Sequence, residues 1–132
     1  MRRIIVAAAL AVAGCQWVPG TTANKVEAAK QLVREELVDG ASAQFETVVF
    51  SPAKFGDPEM VCGWVNARNR VGGYVGAQRF LVADGRVRGL GTREDEGYEG
   101  RFGACVASDK AASDRMMRDV DRAIGAYRDS LS

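Results

Sequence analysis

The chain has 132 residues, with 18 Lys plus Arg, 17 Asp plus Glu, a formal charge of +1 and no histidine. The balanced charge provides no broad basic field for nucleic acid or an acidic membrane face. The missing imidazole removes the commonest general base and a usual zinc ligand.

The chain begins MRRIIVAAALAVAGC. Arg2 and Arg3 precede an apolar run, Ile4 to Ala13, that ends in small residues before Cys15. As a helix that run would be about 15 Å long, half the thickness of a bilayer core. It therefore reads as a cleaved secretory signal over 1–14, not as a membrane span. Val12-Ala13-Gly14-Cys15 resembles the lipobox of bacterial lipoproteins. That resemblance implies lipidation at Cys15, cleavage just before it and acylation of the new amino terminus. Several acyl chains would anchor the protein stably, whereas one holds only marginally. Gln16, where enterobacterial lipoproteins of the inner membrane carry aspartate, implies an outer-membrane address facing the periplasm. Residues 15–23, with Pro19, Gly20, Thr21 and Thr22, have the composition of a tether. Loss of Arg2 and Arg3 with the signal would turn the charge slightly negative.

Residues 24–132 are expected to form one α+β domain. Asn24 is placed to cap a helix carrying Val26, Ala29, Val33 and Leu37 on one face, with Gly40 at its end. AQFETVVF, 43–50, reads as a strand in which Phe45, Thr47 and Val49 alternate with Glu46 and Val48. MVCGWVN, 60–66, YVGAQRFLV, 74–82, and RVRGL, 86–90, supply three more strands. Asp84-Gly85 is the centre of a tight hairpin between the last two. The glycine-rich, acidic stretch 91–104 reads as a loop, with at most a short strand near Tyr98–Phe102. A last helix, capped by Ser108, is expected to turn Ala112, Met116, Val120, Ile124, Tyr127 and Leu131 inward. The order α-β-β-β-β-α predicts an antiparallel four-stranded sheet flanked by N- and C-terminal helices packed on one face. Gly63, Gly76 and Gly89 within strands predict a bend or a helix lying close above.

With Cys15 committed to lipid, Cys62 and Cys105 remain. An even pair in an oxidising compartment predicts one structural disulfide. A redox pair would favour C-x-x-C spacing, and a thiolate metal site would need further ligands. No metal or other cofactor is expected. Glu94, Asp95, Glu96 and Glu99 do not have EF-hand spacing and read as a solvated stretch. Ser51-Pro52-Ala53-Lys54 fits S-x-x-K, but its companion motifs are missing and Pro52 breaks the helix that would present it. No catalytic set emerges, and the protein is not expected to be an enzyme.

The most distinctive run is VCGWVNARNRVGGYVGAQRF, residues 61–80. Cys62, Gly63, Val65, Asn66, Arg68, Asn69, Gly72, Gly73, Tyr74 and Gly76 resemble a segment of small secreted or lipoprotein domains of proteobacteria and their phages. SAQFETV, 42–48, resembles the stretch that precedes it, and Trp64 departs from the pattern. The resemblance implies no particular activity. Two readings of the run remain. In one, the asparagines and glycines form a hairpin that needs φ > 0 positions, Gly73 among them. In the other, Asn66, Arg68, Asn69, Arg70 and Tyr74 form a recognition patch for an anionic or carbohydrate-bearing partner. Trp64 is expected to pack rather than to present a ligand platform. The resulting expectation is a lipid-anchored envelope protein that binds a protein or cell-wall partner, phage superinfection exclusion being one form. Inhibition of a lysozyme-type enzyme is the alternative.

Overall fold

A computed structural model describes residues 20–54 and 56–132. The signal, Cys15 and most of the expected tether lie outside these residues. α1 spans Thr22–Glu36, β1 Gln44–Ser51, β2 Met60–Asn66, β3 Gln78–Ala83, β4 Arg86–Leu90, β5 Arg93–Glu94, α2 Tyr98–Val106 and α3 Lys110–Ser130. The five strands lie in the order β1-β2-β3-β4-β5, each antiparallel to its sequence neighbour. The α+β class and the antiparallel sheet agree with the sequence reading. Among the described residues there are a fifth strand and a third helix beyond that reading.

The helices cover both faces of the sheet, not one. Ala29 and Val33 of α1 pack with Val61, Val65, Phe80, Val82 and Val87. On the opposite face Tyr98, Phe102, Cys105 and Val106 of α2, with Ala112 of α3, pack on Met60, Cys62, Trp64 and Leu81. The reason is visible in β2, whose residues from Met60 to Val65 are all buried. An unbroken apolar strand needs cover on both sides.

α2 forms where the glycine-rich sequence predicts a loop. Gly100 and Gly103 lower its intrinsic propensity. Tyr98, Phe102, Cys105 and Val106 nonetheless fall on one helical face and are buried. The Cys62–Cys105 disulfide ties that face to β2 across 43 positions. The caps differ by a residue or more from expectation. Thr21, not Asn24, caps α1, its hydroxyl accepting from the Asn24 N–H at 3.2 Å. Thr22 and Ala23 therefore belong to α1 rather than to a tether. Asp109, not Ser108, caps α3 by accepting from the Ala112 N–H at 2.9 Å.

A bulge at Thr47 breaks the alternation expected of β1. Glu46 opposes Trp64 and Val49 opposes Cys62, so Thr47 and Val48 share Gly63 as partner. Thr47 has φ +52. Phe45, Val48 and Phe50 pack with the α1 layer, whereas Val49 joins the α2 layer. Thr47 thus faces the same side as Glu46, towards α3. A Cβ on Gly63 would approach the Thr47 carbonyl oxygen to 3.0 Å and Val48 Cα to 3.1 Å. Gly89 leaves room for the Tyr98 ring, which a Cβ there would penetrate. Gly76 falls outside the strands, in the loop between β2 and β3.

Candidate functional site

The segment between β2 and β3, residues 67–77, is exposed except for Ala67. It is a short hairpin closed by a bridge between Arg68 and Tyr74. The Asn69 N–H donates to the Gly73 carbonyl at 2.8 Å, and the Gly72 N–H to the Asn69 carbonyl at 3.0 Å. The left-handed residue of its tip is Gly72, φ +85, and not Gly73, whose φ is ordinary.

The five residues of the expected patch separate into two groups. Asn69 Oδ1 accepts from the Val71 and Gly73 N–H groups at 3.0 and 3.1 Å. Asn66 Oδ1 accepts from the Gly76 N–H at 3.2 Å. Both asparagines therefore satisfy the loop backbone and serve the fold. Arg68, Arg70 and Tyr74 are exposed at the end of the sheet where β2 leaves and β3 returns. Arg68 Nε lies 3.2 Å from Asp39 Oδ2, and Tyr74 OH donates to the Ser42 carbonyl at 3.4 Å. Arg70 makes no ion pair among the described residues.

Ser42, overlooked in the sequence, is the hub of this end. It is buried in a single 3-10 turn, Gly40–Ser42. Its hydroxyl donates to the Asp39 carbonyl at 2.7 Å and accepts from the Arg68 N–H at 2.8 Å. The turn thereby fixes both flanks of the hairpin. Val38 and Val71 also escape a sequence reading, because isolated valines in a polar stretch carry no pattern, and Val75 reads there as part of a strand over 74–82. All three are exposed, and Val71 is 91% so. The hairpin thus presents apolar side chains beside Arg68, Arg70 and Tyr74 on a backbone that is pinned from beneath.

Other singled-out residues are committed elsewhere. Trp64 is buried, as expected of a packing residue. Its Nε1–H donates to Asp119 Oδ2 at 3.2 Å, and the Arg115 guanidinium lies 4.5 Å from its ring centroid. Arg115 also pairs with Glu46 at 2.9 Å and donates to Thr47 Oγ1 at 3.2 Å. In the acidic stretch, Glu94 and Glu99 pair with Arg79, and Asp95 with Arg88. Ser51 closes β1 and is buried, whereas Lys54 is exposed in the following loop. The S-x-x-K residues therefore do not share a helical turn. Among the described residues no group of three or more His, Cys, Asp or Glu could hold a metal ion. Also among them, no helix is long and apolar enough to cross a membrane.

Compared with known proteins, the chain matches no family model, no curated protein and no solved structure.

Proposed function

We propose that the protein is a lipid-anchored envelope module that works by binding, with the β2–β3 hairpin as its contact surface and no catalytic step of its own. The observation that carries this reading is the set of hydrogen bonds that holds the loop backbone beneath an exposed apolar tip. Asn66, Asn69 and Ser42 hold the loop backbone. Val71 and Val75 are left exposed, and the Tyr74 ring is half-exposed beside them with its hydroxyl tied back to Ser42. A preorganised loop loses little entropy on docking, and tyrosine and arginine are typical anchors of protein interfaces. The complementary partner is an envelope protein or cell-wall component with an apolar centre and an acidic group facing Arg70, since Arg68 already pairs with Asp39. The lipobox resemblance at Cys15 supports the address: acyl chains on the membrane and the sheet end held off it in the periplasm.

Two measurements test the two halves. Palmitate labelling of cells should mark the wild-type chain and vanish with Cys15→Ala; labelling that survives overturns the anchor. Crosslinking in intact cells should yield a partner adduct that Arg70→Asp with Val71→Asp removes. These side chains are exposed, so the double variant should unfold within about 0.5 kcal/mol of wild type. An adduct that persists in this folded variant overturns the hairpin as the contact surface. A lysozyme inhibition assay identifies one specific partner class: inhibition abolished by the same double change would make the partner a cell-wall hydrolase.

A further inference from the structure

α3 has a second surface that the hairpin does not use. Its first turns are held to the body by Ala112, which is buried, and by Met116, which packs on the α2-side core. Beyond Asp119, which accepts from the Trp64 Nε1–H, the helix leaves the sheet, and a groove of about 530 Å³ lies between them, lined in part by Trp64, Arg79, Met116 and Val120. The helix nevertheless continues to Ser130. Its apolar row continues too: Met117, Val120, Ile124, Tyr127 and Leu131 are exposed, the last three by 52, 66 and 69%. The helical spacing alone turns Val120, Ile124, Tyr127 and Leu131 inward, but in the structure the sheet ends before they do.

The row is spaced 3, 4, 3 and 4, the a/d repeat of a two-stranded coiled coil. Met117, Ile124 and Leu131 occupy a; Val120 and Tyr127 occupy d. Asp121 and Arg128 are then the two charged e positions beside the exposed row, one heptad apart. Neither has an ion-pair partner among the described residues, whereas Lys110–Asp114, Arg115–Glu46 and Arg122–Asp119 are paired along the same helix. The g positions beside the row, Ala123 and Ser130, are small and uncharged.

We infer that the exposed half of α3 pairs with α3 of a second copy of this chain, antiparallel and two-fold symmetric. Charge selects the arrangement. Antiparallel packing places e opposite e. With Ile124 opposite the partner copy's Tyr127, and Val120 opposite its Leu131, Asp121 of each chain meets Arg128 of the other. The two-fold axis forms that attractive pair twice. Sliding the helices by one heptad would bring the two Asp121 side chains together. Parallel packing would set Ala123 beside Arg128 and leave both charges unmatched. The chosen register also keeps the bodies apart. Ala112 of each chain, where α3 is anchored, lies about 40 Å from its counterpart along the helix axes. The overlap, Val120 to Leu131, is only about 18 Å long. Such an interface is smaller than that of a permanent dimer, so the pair is reversible and concentration-dependent.

The test is photocrosslinking of the full chain in the cells that express it, with Tyr127→p-benzoylphenylalanine as the probe. Irradiation should yield an adduct at twice the mass of the chain. Asp121→Arg should reduce it about tenfold, because two attractive pairs become repulsive. Arg128→Asp should do the same, and the double exchange Asp121→Arg with Arg128→Asp should restore it. All variants change exposed residues, and an intact Cys62–Cys105 bond in each confirms the fold. An adduct only to lipid or to another protein, no adduct, a self-adduct indifferent to Asp121→Arg, or failure of the double exchange to restore it would each overturn the proposal.

Discussion

Burial sets the chemistry of Tyr98. Its hydroxyl is enclosed and has no hydrogen-bond partner among the described residues. Burial pushes its pKa up to about 12, with the nearby Arg79 guanidinium opposing and Glu94 and Glu99 adding to the rise. Below pH about 10 the hydroxyl is neutral in folded and unfolded chains alike, and its titration leaves stability unchanged. Between about 10 and 12 the unfolded chain releases the proton first, so stability falls as pH rises. Tyr98→Phe should therefore flatten that alkaline loss, as followed by chemical denaturation at a series of pH values. At pH 7 it should be neutral or gain up to about 1 kcal/mol, since no hydrogen bond is removed; a clear loss at pH 7 would mean that the hydroxyl has a partner. Ser42 predicts the opposite behaviour. Ser42→Ala strands the Arg68 N–H and should cost about 1–3 kcal/mol, measurable as a shift of the urea midpoint at constant slope. Tyr98 reads in the sequence only as part of a loop or short strand, so neither its burial nor its orphaned hydroxyl is legible there, and the role of Ser42 is not legible at all. Its role depends on a turn 26 positions away from the N–H it satisfies.

At the scale of elements, strands are easier to read from sequence than their faces. MVCGWVN and RVRGL have the bounds expected of them, because β-branched and apolar residues mark them without tertiary help. The third strand reads as 74–82 in the sequence, and its first four residues instead lie in the exposed hairpin before Gln78. Tyr74 and Val75 have strand propensity, but Gly76 at φ +94 breaks the extended run. α2 escapes the sequence reading because its glycines hide a 4, 3, 1 apolar spacing that only the disulfide and the sheet make profitable. α3 is legible to within about two residues, yet its inward face, read from spacing alone, extends past the body it packs on. Gly125 lies in that overhang, with ordinary φ and open space where a Cβ would stand. Gly125→Ala should stabilise the overhang by about 0.5–1 kcal/mol. Slower amide hydrogen exchange over residues 120–130, with unchanged exchange in β2 and β3, would verify it; faster exchange there would count against a continuous helix.

For the whole molecule, the disulfide joins the layers on which the candidate site depends. Cys62 sits in β2, the strand that ends at the hairpin, and Cys105 in α2, whose own helix propensity is poor. Closing a loop of 43 positions should be worth about 4 kcal/mol in the chain-entropy account. Replacing both cysteines with alanine should therefore lower stability by about 2–5 kcal/mol, with near-ultraviolet dichroism of Trp64 reporting looser packing against Phe102. Denatured protein kept free of reductant should show no alkylation at either cysteine. The pairing itself is legible from cysteine count and the expected compartment. The two-sided cover that it fastens matches the unbroken apolar run of β2, but the second covering layer, α2, is hidden by its glycines.

The bulge at Thr47 has a bearing on how the sheet avoids edge-to-edge pairing with other chains. β1 is an outer strand of eight residues, long enough to recruit a strand from another chain. At the opposite rim β5 offers only two residues. A regular outer strand is a template for aggregation, and a kink is a common defence. Here the kink falls in the middle of the long rim, with a left-handed threonine that interrupts the row of free N–H and carbonyl groups. Deleting Thr47 would straighten the rim while leaving every other side chain of β1 on its present face. The shortened chain should still fold, yet scatter light and form β-rich aggregates at concentrations where the natural chain stays clear.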